Sequence, residues 1–171
     1  GEPYYEFTNF YMGETIEIDG VPWPTTEHFF QAQKFVGTPY VNKIRHSPSP
    51  RDAFSLSRDP VISHWRRSDW EEVKMDVMRK ALYAKFIRDP WLRQKLVKTG
   101  NRELVERSPY DSFWGDGGNG TGQNRLGKLL MELRTKLQGD VTERDSIQAS
   151  EKKPNSKDNS TTTCGECGRS N

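Results

Sequence analysis

The chain has 171 residues, a length typical of one domain, and its 26 basic and 24 acidic residues give a net charge of +2. This excess is too small to predict a nucleic-acid groove by itself, but it is compatible with a phosphorylated ligand. No apolar run approaches the ~20 residues of a membrane-spanning helix, so we expect no membrane partner. The cysteines, Cys164 and Cys167, lie near the carboxyl end, which excludes a disulfide scaffold for the core and favours an intracellular location, cytoplasmic or nuclear.

A β-hairpin is predicted near the start of the chain. Residues Glu14 to Ile18 alternate as a half-buried strand does, Asp19-Gly20 is a strong turn signal, and Val21 to Trp23 continues the hairpin. Upstream, Asn9 lies in an aromatic-rich stretch. Its side chain has two interpretations, a turn residue or a contact to a polar ligand.

The stretch Thr25 to Val36, TTEHFFQAQKFV, predicts an amphipathic helix capped by one of its threonines. Glu27, Gln31 and Lys34 are spaced i, i+4, i+7 and therefore share one narrow stripe. The residues expected to be buried on the opposite side are Phe29, Ala32 and Val36. An acid, an amide and an amine in one row form either a solvated surface stripe or a reactive face, and the spacing does not separate the two.

Capping signals predict the remaining helices, with Ser49, Ser68 and Asp89 at three of their starts. The predicted helices cover residues 39–46, 49–58, 68–88, 91–98 and 124–137, and a strand is predicted over 103–107. The expected fold is mostly α, an α+β arrangement of several helices and a small β-hairpin, in one compact domain over residues 1–137.

Residues 138–171 form a polar tail that we expect to be disordered, because it contains few large apolar side chains. The tail carries a single CxxC pair, Cys164 and Cys167. A structural zinc site needs four ligands, so no metal is expected.

A glycine-rich loop, WGDGGNGTG, runs from Trp114 to Gly122. Its residue order matches neither the Walker pattern nor the dinucleotide-binding fingerprint. It leads into a helix that starts near Asn124, a position suited to contact with an anion or a ribose. Trp114 and Asp116 are either a grip on a planar ring attached to a sugar, or a core indole and a turn carboxylate.

Together the sequence offers two carboxylates, Glu27 and Asp116, one amine, Lys34, and two indoles, Trp70 and Trp114. Cleavage of an N-glycosidic bond needs such a set, because the leaving base must be protonated and the charge growing at the anomeric carbon must be stabilised or captured. The carboxylates perform this task in one route. In another, a desolvated lysine attacks the anomeric carbon and forms a Schiff base. Neither route requires a cofactor.

Three separated segments resemble the motifs of the NADAR family, also called YbiA-like. They are TTEHFFQAQKF, SDWEEVKMDVMRKALYAKF and FWGDGGNGTGQNRLGKLLMELR, and the resemblance spans about Tyr5 to Leu137. It implies a compact, mostly α fold with a small β element and N-glycosidase activity on ribosylated substrates. Two substrate classes are associated with the family: early riboflavin-pathway intermediates bearing ribose 5-phosphate, and ADP-ribose attached to guanine.

The resemblance also implies site residues. The family's acid falls on Glu27, the aromatic of the second motif on Trp70, and the pair of the third motif on Trp114 and Asp116. Lys34 occupies its motif position, and we assign it a nucleophilic or Schiff-base role as a hypothesis. The further residues expected to contact the substrate are Asn9, Gln31, Lys74, Gly115 and Asn124.

Three functions follow as hypotheses. The preferred one is a hydrolase that removes ADP-ribose from guanine in nucleic acid, because no riboflavin-pathway enzyme is fused to the domain. The second is hydrolysis of phosphoribosylated riboflavin intermediates. The third is a module that binds ADP-ribose without cleaving it, and the set of Glu27, Lys34 and Asp116 counts against it. The expected partners are therefore an ADP-ribosylated or phosphoribosylated small molecule or base, with nucleic acid as a carrier of the substrate.

Overall fold

A computed structural model describes residues 4–151, with side chains for residues 4–139. Two strands form one antiparallel sheet, β1 (Ile16–Ile18) and β2 (Val21–Trp23). The helices are α1 (Thr26–Ala32), α2 (Tyr40–Arg45), α3 (Pro50–Ser57), α4 (Trp70–Arg88), α5 (Pro90–Lys98) and α6 (Arg125–Glu151). Short 3-10 helices cover Tyr5–Phe7, Gln33–Phe35 and Pro60–Trp65. The predicted class, a mostly α fold with a small hairpin, is confirmed. None of the helices described is both long and apolar enough to cross a membrane.

The hairpin follows from its turn residues. Ile18 lies opposite Val21, and the residues between them, Asp19 and Gly20, have φ values of 54° and 73°. Two positive φ angles in succession define the turn that matches the twist of paired strands. The hairpin thereby places the start of α1 directly after β2.

Side-chain caps fix the starts of three helices. Thr25 accepts a hydrogen bond from the His28 amide at α1, and Ser49 and Asp89 cap α3 and α5 in the same way. The cap predicted at Ser68 is wrong, because α4 begins at Trp70 without a side-chain cap. The carboxylate next to Ser68, that of Asp69, instead accepts two hydrogen bonds from Arg67.

Helix α1 lies between two hydrophobic clusters. Phe30 belongs to the first, which includes apolar residues of α4, α5 and α6, and Phe29 belongs to the second, with the hairpin, α2 and α3. All seven residues of α1 are consequently buried. The polar residues of this helix therefore lie inside the protein, where their hydrogen bonds and charges carry more weight than at a surface.

The helix predicted over Thr25–Val36 is shorter than expected. The α-helical part ends at Ala32 and is followed by the 3-10 turn Gln33–Phe35, so Lys34 lies on this turn. Val36, expected to be buried, is 48% exposed. A 3-10 turn advances by a larger angle per residue than an α-helix, which moves Val36 off the face that the α-helical period predicts.

Two predictions in the second half of the chain are wrong. No strand forms over residues 103–107; this segment is irregular, and its exposed and half-buried side chains alternate without a partner strand in the described part of the chain. Helix α6 continues past Leu137 to Glu151, so residues 138–151 are helical rather than disordered. This stretch has no proline, and Gly139 alone does not end a helix. The rest of the predicted tail, with its CxxC pair, lies outside the described residues.

Candidate active site

A short chain of hydrogen bonds fixes the acid of α1. The Gln31 amide donates to Glu27 Oε1 at 2.6 Å, and the Ser57 hydroxyl donates to Gln31 Oε1, also at 2.6 Å. Glu27 and Gln31 are only 4% and 3% exposed. The interpretation of this face as a solvated stripe is therefore wrong for its first two members, and Ser57 at the end of α3 fixes the amide that holds the acid.

Burial makes Glu27 an unusually weak acid. The pKa of its carboxyl is raised to about 7, because desolvation disfavours the ionised form. The Gln31 hydrogen bond and the charges of Lys34 and Arg58 oppose this rise, whereas the charge of Glu106 adds to it. A carboxyl group with such a pKa can carry a proton at neutral pH and release it to a leaving group.

Lys34 has the opposite shift. Burial lowers the pKa of its ammonium group to about 8, against the opposing effect of Glu27. The Nζ atom lies 5.6 Å from the ring centroids of both Phe30 and Trp70. An amine with this pKa is partly neutral under mild conditions and is therefore available as a nucleophile.

The two indoles meet at Phe30 rather than facing each other. Trp70 packs edge-on against the Phe30 ring at 5.0 Å, and Trp114 packs edge-on against it at 5.3 Å. Trp70 is buried, and its ring forms part of the apolar surface beneath the Lys34 amine. Trp114 is half-buried and packs against the core. The structure thus brings both predicted indoles to one aromatic cluster next to Lys34.

Asn9 is joined to the acid through its backbone. Its carbonyl accepts hydrogen bonds from the Glu27 amide at 3.2 Å and the Thr26 hydroxyl at 3.1 Å. Its side-chain amide makes a 3.4 Å contact to the sulfur of Met78, and its Oδ1 is buried without a hydrogen-bond partner among the described residues. A buried acceptor without a donor is costly, which is consistent with the predicted contact to a polar ligand.

The glycine-rich loop is arranged differently. The Asp116 carboxylate accepts hydrogen bonds from the amides of Ser108 and Gly118, at 3.1 and 2.9 Å, and these bonds lower its pKa. In the part of the chain that the structure describes, no hydrogen bond or ion pair joins it to Glu27 or Lys34. The structure therefore does not bring Asp116 into contact with the acid and the amine, and its predicted catalytic role stays a prediction.

Lys74 and the helix start at Asn124 are also engaged within the protein. The Lys74 amine forms an ion pair with Glu71 and lies 3.7 Å from the centroid of the Phe113 ring. The Asn124 side chain bonds to the backbone of Leu104 and Glu106. Their predicted roles as substrate contacts stay untested.

Comparison with known proteins identifies the fold family. A model described as the NADAR domain matches residues 1–138. This chain belongs to the NADAR family. The match covers every predicted site residue and confirms the resemblance found in the three sequence motifs.

Several NADAR relatives are similar over most of the chain. The N-glycosidase YbiA of Escherichia coli is 49% identical over 136 residues, which are 80% of this chain and 83% of that protein. Its NMR structure superimposes with a TM-score of 0.72 and 44% identity, covering 91% of this chain and 86% of the other. A riboflavin biosynthesis protein of Vibrio vulnificus is 42% identical over 130 residues, 76% of this chain but 35% of that protein.

Sequence reasoning missed three charged residues of this NADAR site. Arg58 follows Ser57 and acts electrostatically on both Glu27 and Lys34. Glu106 acts on Glu27, and its own pKa is raised chiefly by burial. Lys85 is buried on α4, its pKa is lowered to about 7 by burial, and it donates to the Thr8 carbonyl at 2.7 Å. A helical period or a capping motif carries no signal for such long-range charge contacts.

Proposed function

We propose that this protein is an N-glycosidase that cleaves the bond between a base and a ribose, with Glu27 as proton donor and Lys34 as nucleophile. One observation carries the proposal: α1 and the turn after it present a buried acid with a pKa of about 7 and a half-buried amine with a pKa of about 8. The name of the E. coli relative, an N-glycosidase, supports it.

The reaction balances with these two groups and one water molecule. The neutral amine of Lys34 attacks the anomeric carbon, the carbon–nitrogen bond to the base breaks, and the proton of Glu27 goes to the leaving base. The new C–N bond leaves a positive nitrogen on Lys34, and its proton returns to the Glu27 carboxylate. Glu27 then gives this proton to the ring oxygen as the ribose ring opens to a protonated imine. Water adds to the imine carbon and returns a proton to Glu27, and the carbon–nitrogen bond to Lys34 breaks to give the free sugar and the original amine.

The environment of Lys34 supports an anionic substrate. Arg58 and Arg66 both place positive charge near its amine, beside the negative charges of Glu27 and Glu71. Arg66 is already paired with Glu71 at 2.8 Å, whereas the Arg58 guanidinium lies over the Phe54 ring at 4.3 Å and contacts no carboxylate among the described residues. A free guanidinium near the amine suits a phosphate of the substrate.

We propose ADP-ribose attached to guanine in nucleic acid as the preferred substrate. The alternative substrate is a phosphoribosylated riboflavin intermediate. The name of the Vibrio relative, a riboflavin biosynthesis protein, favours this alternative.

A side-by-side product assay tests the proposal. The full chain is incubated with guanine-ADP-ribosylated DNA and, separately, with the ribosylated diaminopyrimidine intermediate, and the released sugar and base are identified by mass spectrometry. Release of ADP-ribose with restored guanine supports the preferred substrate, and consumption of the diaminopyrimidine alone supports the alternative. Tight binding of ADP-ribosylated DNA without release of any sugar contradicts the enzyme and supports a binding module.

A further inference from the structure

Three residues predicted to contact the substrate meet instead at the backbone of Glu106. The Asn124 side chain accepts a hydrogen bond from the Glu106 amide at 3.0 Å and donates to the Leu104 carbonyl at 2.8 Å. Asn124 has a φ of 48°, a conformation that asparagine adopts more readily than most residues. The side-chain amide of Asn124 thus makes the hydrogen bonds to residues 104 and 106 that a partner strand would otherwise make.

The glycine-rich loop holds the same residue from the other side. The Asp116 amide donates to the Glu106 carbonyl at 2.9 Å, while the Asp116 carboxylate accepts from the Ser108 amide. At Gly115 a Cβ atom would lie 2.8 Å from the Glu106 carbonyl oxygen. The loop therefore approaches so closely that only glycine fits there, and the backbone of Glu106 is fixed at both its amide and its carbonyl.

The side chain of Glu106, by contrast, is left unused. It is half-buried, and its carboxylate has no hydrogen bond or ion pair with any residue that the structure describes. Burial raises its pKa, and the charges of Asp111 and Asp116 raise it further, against the opposing charge of Lys85. The backbone of Glu106 is fixed at two points, but its carboxylate has no partner among the described residues. The carboxylate is therefore available to bind a ligand.

The surroundings of Glu106 connect it to the acid of α1. It lines a cleft of about 680 Å³ together with Thr8, whose hydroxyl oxygen is buried and has no hydrogen-bond partner within the described residues. Thr8 precedes Asn9, whose carbonyl holds the Glu27 amide and whose Oδ1 is also unpaired. The charge of Glu106 reaches Glu27 across this region. The Glu106 carboxylate and the Thr8 hydroxyl oxygen line one cleft, and a ligand rich in hydroxyl donors, such as a ribose, suits them.

We propose that Glu106 is the second carboxylate of the reaction centre, which contacts the ribosyl part of the substrate and stabilises the positive charge that develops at its anomeric carbon. Asp116, Gly115 and Asn124 act through it as positioning residues. This inference rests on the proposed N-glycosidase function. It gives the enzyme the pair of carboxylates that glycoside cleavage commonly uses, with Glu27 as the proton donor and Glu106 as the stabilising charge.

The test compares Glu106→Gln with Glu17→Gln, an exposed glutamate on β1 that does not line this cleft. Steady-state rates are measured on whichever ribosylated substrate the wild-type protein cleaves. We expect Glu106→Gln to lower kcat by about 100-fold with little change in KM, since the lost group acts mainly in the transition state. The Glu17→Gln control should stay within about twofold of wild type, as surface changes usually do.

A pH profile separates this role from a structural one. Glu27 experiences the charges of Lys34, Arg58 and Glu106, so removing the negative charge of Glu106 lowers the pKa of Glu27. Activity that requires protonated Glu27 then declines at a lower pH in Glu106→Gln than in wild type. Glu106→Asp keeps the charge and should keep the wild-type position of this decline even though its rate is reduced.

Two results overturn the inference while leaving the proposed function intact. The first is a Glu106→Gln variant that is as active as the Glu17→Gln control. The second is an equal loss of kcat in Glu106→Gln and Glu106→Asp that parallels their loss of thermal stability, with no change in the pH profile. A wild-type protein that releases no base from any ribosylated substrate overturns the proposed function and this inference together.

Discussion

Two regions of the molecule hold a carboxylate in opposite ways. In α1, Glu27 is buried between two hydrophobic clusters, one amide supports it, and its pKa is raised to about 7. In the glycine-rich loop, two backbone amides surround the Asp116 carboxylate and lower its pKa. Burial in the first environment favours a carboxyl group that carries a proton, and the backbone hydrogen bonds of the second favour the ionised form. Residue type alone therefore does not tell which of the two environments a carboxyl group has.

The largest expected effect tests the α1 side of this comparison. Glu27→Gln keeps the acceptor for the Gln31 amide but cannot donate a proton, so turnover should fall by about 10³-fold. The same change should stabilise the protein at pH 8 by ~1–3 kcal/mol, because the raised pKa means that ionising Glu27 costs the folded state energy.

The stability gain of Glu27→Gln should depend on pH with a defined sign. It is fully present above the folded pKa of about 7 and disappears as the pH falls below the ordinary pKa of 4.5, where Glu27 is protonated in both states. Urea unfolding at pH 8 and pH 4.5 measures it, and Glu17→Gln on the exposed face of β1 is the control. A variant that is less stable than wild type at pH 8 would instead identify Glu27 as a structural residue.

The second effect concerns the amine. Borohydride added during turnover should reduce the imine and leave a sugar adduct on Lys34, located by peptide mass spectrometry. Lys34→Arg should abolish the adduct and lower turnover by more than about 100-fold, because a guanidinium remains charged and cannot attack. Lys80, exposed on α4, is the internal control for non-specific labelling. Absence of any adduct with full turnover would favour a non-covalent, acid-assisted route.

A moderate effect should appear in the pH dependence of the wild-type rate. The mechanism needs Glu27 protonated and Lys34 neutral. As the pH rises through about 7, Glu27 ionises and activity should fall. As the pH falls through about 8, Lys34 becomes protonated and activity should fall as well. The expected profile is a narrow bell with its maximum between these values. A rate that rises steadily up to pH 10 would contradict a proton-donating Glu27.

The smallest effect tests the loop side. Asp116→Asn keeps an oxygen that accepts from Ser108 and Gly118, so turnover should change by less than about tenfold if Asp116 only positions the loop. Asp116→Ala removes this acceptor and should lower the midpoint of thermal unfolding. A loss in Asp116→Asn comparable to that in Glu27→Gln, with the melting temperature unchanged, would show that the two regions share the catalytic work.

Local signals in the sequence predicted much of the framework. The hairpin turn at Asp19-Gly20 and the caps at Thr25, Ser49 and Asp89 were predictable because each depends on residues within three or four positions. The stripe of Glu27, Gln31 and Lys34 was also visible, but its burial was not. That burial depends on two hydrophobic clusters assembled from distant elements.

The incorrect strand prediction over residues 103–107 has a physical cause. Residues 103–107 alternate as a strand does, but they bind to a side chain and a loop amide instead of a second strand. The pattern therefore did not identify Glu106 as a site residue. An alternating pattern assigns a side chain to one face of a strand, but it does not show which charged residues lie near it. The unpaired carboxylate could be found only once the loop and the segment were seen together.

The position of α1 between two hydrophobic clusters has a consequence for how such enzymes change over generations. We expect substitutions of apolar residues in either cluster, such as Phe29 or Phe30, to shift the helix and with it the acidity of Glu27. The catalytic rate and the stability of the folded protein are therefore coupled in this fold. Substitutions in the hydrophobic core can then change the pKa of Glu27, and with it the activity, without changing any residue that contacts the substrate.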